Sequence, residues 1–195
     1  MEFAALLITI IFSGVLGVIV YFNNPRSVTN RLLIILSITV ASWSFIMYGS
    51  LRATPETTLI WIRLTTFFAV LMSTEFLLLS FTVPHQSLKP QKFFRIVILL
   101  FSLMAMVVTL TPYVFPRIEF GSGGFQPIAG PGMAIFAPVV NGYAVIAMVV
   151  LILRFIKARA KEKLQLGYVL GGIVLMLGFI IATIFIPVLF FSSVA

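Results

Sequence analysis

Apolar residues come in long runs, and the breaks between the runs are short and polar. Crossing the hydrocarbon layer of a bilayer takes about 20 mostly apolar residues in a helix. Six runs meet that requirement, at about residues 3–22, 32–48, 58–83, 94–111, 133–155 and 166–190. The first carries no charge, and the third carries Arg63 and Glu75. Pro25 ends the first helix at Asn23-Asn24-Pro25-Arg26-Ser27, because proline restricts both itself and the residue before it. The stretches 52–57 and 84–90 read as polar turns. The long connection 112–132 holds Gly121-Ser122-Gly123-Gly124 and Gly130-Pro131-Gly132. It is too short and too broken to span, and is expected as an outer surface loop or short hairpin. The predicted fold is all-α: a polytopic transmembrane bundle of six spans, forming one domain over residues 1–195.

Composition supports this and narrows the chemistry. Apolar residues make up 61% and charged residues 9%, against about 25% charged in soluble domains. Mean hydropathy is +1.19. There is no cysteine, no aspartate and a single histidine, His85. Thiol catalysis, disulfides and zinc–thiolate sites are thereby excluded. His85, on a loop without acidic or thiol partners, reads as a solvated side chain, so no metal site and no cofactor is expected. No phosphate-binding glycine motif or catalytic triad is present. No lysine sits in mid-span to carry a retinal Schiff base, and the chain is expected not to be an enzyme.

The net charge of +8 could suggest nucleic acid, but its distribution points to a membrane and no nucleic-acid partner is expected. Cytoplasmic loops hold an excess of Lys and Arg. With the N-terminus outside, Arg26, Arg31, Lys89, Lys92, Arg95, Arg154, Lys157, Arg159, Lys161 and Lys163 all fall inside, and only Arg52, Arg63 and Arg117 fall outside. Six spans then put Ala195 outside as well. The first run begins Met-Glu without a basic segment, and reads as a retained span rather than a signal peptide.

Glu75 is the first candidate for chemistry. It lies about eight residues, or roughly 12 Å, from the inner end of its helix. A charged carboxylate there costs about 2.5–3.5 kcal/mol. It must face the bundle interior, meet a polar partner or stay protonated. Trp43, in mid-span, and Asn141, early in the fifth span, complete a candidate sensing cavity among the second, third and fifth helices. The hydroxyls of Ser37, Thr39, Ser42, Ser44, Ser73 and Thr74 read as bonding back to their own helices. Arg63 is expected to reach the outer surface, and Trp61 and Tyr113 to join the outer aromatic belt. Gly167, Gly171, Gly178 and Ala182 fall on one helix face, where a backbone can approach closely. That stripe serves packing within the bundle or a homodimer seam, the former preferred.

Several short motifs occur in a characteristic order. They are Asn24-Pro25-Arg26-Ser27 with Asn30-Arg31, Ser42-Trp43-Ser44, Trp61-Ile62-Arg63-Leu64, the stretch 76–81 before a basic loop, and Gly130-Pro131-Gly132. The stretch 151–163 follows, then Gln165-Leu166-Gly167-Tyr168-Val169-Leu170-Gly171-Gly172 and Ile186-Pro187. In this the chain resembles the N-terminal seven-transmembrane region of bacterial and archaeal membrane sensor histidine kinases, a region also found ahead of diguanylate cyclases. The resemblance implies a signal-input role in a two-component system, in a multi-pass cell-membrane protein. It implies a cytoplasmic kinase or cyclase output domain as partner, and a seventh helix that this chain lacks. It transfers no catalytic residue. A small transporter or channel subunit, or a structural scaffold of the bilayer, is the alternative expectation.

Overall fold

The computed structural model describes residues 2–83, 92–121, 124–159, 162–164, 166–167 and 169–171. Their order is α1 (Glu2–Asn23), α2 (Val28–Arg52), α3 (Pro55–Thr82), α4 (Lys92–Thr109), β1 (Ile118–Gly121), β2 (Gly124–Pro127) and α5 (Met133–Lys157). All five helices are long and apolar enough to cross a membrane. Most of the sixth apolar run lies outside the described residues, though helical backbone is present at 162–164, 166–167 and 169–171.

The helix starts follow local chemistry. α2 begins four residues before its apolar run, because Ser27 is extended at the N-cap and its hydroxyl accepts from the Asn30 N–H. α3 begins on Pro55, whose missing N–H costs nothing in the first turn. The connection between α4 and α5 folds into an antiparallel hairpin, with Ile118 paired to Pro127 and Gly121 to Gly124.

The chain divides into two compact units, Met1–Met148 and Val149–Ala195. In the first, Val70 and Leu77 of α3, Ile98 and Ala105 of α4, and Val139, Tyr143 and Ala147 of α5 form one buried cluster. Large apolar side chains also point outward: Phe12 of α1 is 72% exposed, and α4 exposes Phe93, Phe94 and Leu100. In a soluble protein so much exposed apolar area would drive aggregation. On spanning helices it is the surface that lipid covers. In the second unit Leu166 is buried, and the Lys163 ammonium lies 5.3 Å from the centre of the Phe155 ring.

Candidate functional site

The polar side chains of the spans are not scattered. Glu75 is only 4% exposed. Its Oε1 accepts a 2.8 Å hydrogen bond from Thr39 Oγ1, joining α3 to α2. Its Oε2 is buried and has no partner among the described residues. One residue earlier the next side chain swings about 100° round the helix, and there Thr74 meets Ser102 of α4 at 2.8 Å. The Tyr143 hydroxyl of α5 donates to the Ile98 carbonyl of α4 at 2.9 Å. The result is a polar seam from α2 through α3 and α4 to α5, with at least one hydrogen bond across each step.

The seam has a shortage of protons. Thr74 Oγ1 lies 2.7 Å from the Val70 carbonyl and 2.8 Å from Ser102 Oγ, which itself lies 2.8 Å from the Ile98 carbonyl. Thr74 and Ser102 each supply one O–H proton. Two protons serve three contacts. With the bond between the two hydroxyls made, either Thr74 donates to Val70 and Ser102 to Thr74, or Thr74 donates to Ser102 and Ser102 to Ile98. The two hydroxyl arrangements differ in which helix carbonyl they engage.

Of the three residues expected to form a sensing cavity, Glu75 lies in the seam and Trp43 stands beside it. Trp43 is half-buried and follows Thr39 by four residues, so it shares that helix face. Asn141 is exposed, and its amide donates to the Ala137 carbonyl one turn back in its own helix at 3.0 Å. One cavity is lined by Ile10, Ala41, Ser42, Phe45, Ile46 and Phe68, and another by residues of α3, α4 and α5; Glu75, Trp43 and Asn141 border neither. In the small-residue stripe, a side chain at Gly167 would meet the Phe155 ring at 3.5 Å, and one at Gly171 would meet open space. Gly178, Ala182 and His85 lie outside the described residues. No group of three metal-binding side chains occurs among the described residues.

Sequence reasoning passed over Ser102 and Tyr143, and read Thr39 and Thr74 as bonding only to their own helices. Ser102 has a faint signal, since it falls on the stripe Ile98, Ser102, Ala105 and Thr109 that α4 buries. Ser73 shows how weak that signal is: its hydroxyl bonds back to the Val70 carbonyl, while its neighbour Thr74 also reaches across to α4.

Other ties hold the frame around the seam. Asn30 donates through Nδ2 to the carbonyls of Val20 and Asn24, and Arg31 Nε donates to the Pro25 carbonyl at 2.8 Å. These bonds close the α1–α2 turn. At the opposite end of the bundle, Arg63 Nη2 donates to the Phe115 carbonyl at 2.8 Å, so it clamps the α4–α5 connection to α3. Gly130 N–H donates to the Val114 carbonyl and Gly132 N–H to the Tyr113 carbonyl, both at 2.8 Å. A Cβ at Gly130 would overlap the Tyr113 carbonyl oxygen. The Trp61 ring packs against Gly49, where a Cβ would come within 2.6 Å of it.

The donors of these ties, Asn30, Arg31, Arg63, Gly130 and Gly132, all belong to the short motifs of the sequence. Comparison with known families agrees: the family described as the N-terminal 7TM region of histidine kinase matches residues 5–194. No curated protein and no solved structure matches the chain. The family region is a membrane-embedded input module that carries no catalytic machinery of its own. With a match over almost the whole length, on a chain of membrane-spanning helices, this protein belongs to the N-terminal 7TM region family of histidine kinases.

Proposed function

We propose that the chain detects a ligand or a membrane state within the bilayer and passes the resulting helix motion to a cytoplasmic histidine-kinase or cyclase output domain. It sits N-terminus outside in a bacterial or archaeal cell membrane, as its lysines and arginines favour. The sensing elements are Glu75 with its partner Thr39, and Trp43 on the same face of α2. Asn141 is a secondary contact, and Gly167, Gly171, Gly178 and Ala182 form a packing stripe.

The observation that carries this reading is the seam. Hydrogen bonds between membrane helices average only about 0.6 kcal/mol each, because alternative partners are always near. A set of such bonds, short of protons and containing a buried carboxyl oxygen without a partner among the described residues, allows a second packing at low cost. A stimulus that favours that packing shifts the population in proportion to its differential affinity.

The test is phosphorylation. The native gene product, in its own membranes and given ATP, is expected to yield acid-labile phosphohistidine on the same polypeptide or on one that co-purifies with it. Absence of phosphohistidine, together with Glu75-dependent solute flux in reconstituted vesicles, would replace the sensor reading with a transporter reading.

A further inference from the structure

A groove of about 470 Å³ lies between α3, α4 and α5. That is within the roughly 300–1,000 Å³ of ordinary ligand sites. Along α4 its wall runs from Phe94 to Met104, ten residues or about 15 Å of helix rise, so it is long and lies along the helix axis. Its polar group, the Tyr143 hydroxyl, is already committed to the Ile98 carbonyl. Its rim opens on the surface that lipid covers, since Phe94 is 60% and Phe101 51% exposed. Gly142 gives α5 its hollow at this point, for a Cβ there would meet nothing within 4 Å.

The Phe94 end of the groove is also the basic end. Lys92 opens α4, and Arg95 follows one turn before Ile98 with its Nε buried and without a partner among the described residues. No acidic residue occurs anywhere between Glu75 and Glu119 in the sequence. The first turn of a spanning helix lies at the level of the lipid phosphates. We propose that this groove is a binding site for one anionic phospholipid, with an acyl chain between Phe94 and Met104 and the phosphate held by Lys92 and Arg95. The inference requires only that the chain spans a membrane, and stands whether or not the sensory reading does.

The full chain purified in mild detergent is titrated with phosphatidylglycerol and with phosphatidylcholine, and bound lipid is counted by native mass spectrometry. One retained phosphatidylglycerol per chain is expected, in preference to phosphatidylcholine. Lys92→Gln and Arg95→Gln should each reduce that preference about fivefold, as removal of one cationic contact with an anionic leaflet does. Gly142→Leu fills the groove from a clash-free position, and should abolish retention of both lipids with the thermal midpoint maintained. If that variant fails to fold, Ile146→Trp fills the same groove from its exposed rim. The proposal is overturned if the wild-type chain retains no lipid, if the preference survives both neutralisations, or if a filled groove retains lipid as before. It is equally overturned if filling the groove changes the oligomeric state, because a second copy is then what covers it.

Discussion

Thr39 and Glu75 stand 36 residues apart in sequence, and a 2.8 Å hydrogen bond from Thr39 Oγ1 to Glu75 Oε1 joins them across α2 and α3. Glu75 Oε2 remains buried without a partner among the described residues. A buried polar group left without its partner costs its full desolvation: Thr39→Val strands the Glu75 carboxyl, whereas after Glu75→Leu the Thr39 hydroxyl can turn back to a carbonyl of its own helix. Thr39→Val should therefore destabilise the bundle by about 1–3 kcal/mol, while Glu75→Leu should be near neutral or stabilising. Reversible unfolding in bicelles measures both. If Glu75→Leu is the costlier change, the acid serves packing and not sensing.

The Arg63 clamp makes a separate prediction. Hydrogen bonds to charged groups contribute about 1.5–3 kcal/mol, and Arg63 holds the Phe115 carbonyl with one. Arg63→Leu should speed amide hydrogen exchange over residues 113–130 and leave exchange at the α1–α2 turn unchanged. Equal acceleration at both places would show that Arg63 supports the whole bundle.

Two glycines should behave in opposite ways. Gly130→Ala drives a methyl group into the Tyr113 carbonyl, a backbone atom that cannot step aside. Gly142→Ala enters open space in a helix, where the exchange of Gly for Ala is worth about 0.5–1 kcal/mol in favour of folding. Thermal unfolding should show a lowered midpoint for the first and an unchanged or raised one for the second. In lipid-free detergent, a lowered midpoint for Gly142→Ala would mean that another part of the protein fills that space.

The five described helices were legible in the sequence because lipid imposes a simple demand: a long apolar run with every backbone group bonded internally. Only the ends shifted. Asn30 and Arg31 look like turn residues by polarity, yet they are helical, because Asn30 bonds the Val20 and Asn24 carbonyls and Arg31 the Pro25 carbonyl of the preceding turn. The seam was far less legible. A hydroxyl that reaches a neighbour and one that bonds back to its own helix are the same letter, as Ser73 and Thr74 show. Asn141 turns away from the seam for a rotational reason. α5 is apolar all round, so its sequence does not say which face turns inward, and the asparagine lies on an exposed one.

Orientation is open to direct labelling, because the chain contains no cysteine. Single cysteines are introduced at Ser87, in the α3–α4 connection, and at Ser122, in the α4–α5 connection. On intact cells an impermeant maleimide should label Ser122→Cys at once and Ser87→Cys only after permeabilisation. The reverse pattern would invert the bundle and remove the basis for an outward N-terminus.

The central claim is that helix packing at the seam sets the activity of the output domain. Phosphohistidine formation by the native gene product, in vesicles of fixed lipid composition, tests it in four forms: wild type, Thr39→Val, Glu75→Gln and the double variant. The account predicts that each single change shifts the steady phosphorylation level and that the double variant departs from the sum of the two, as residues sharing one contact do. Identical levels in all four forms would contradict it.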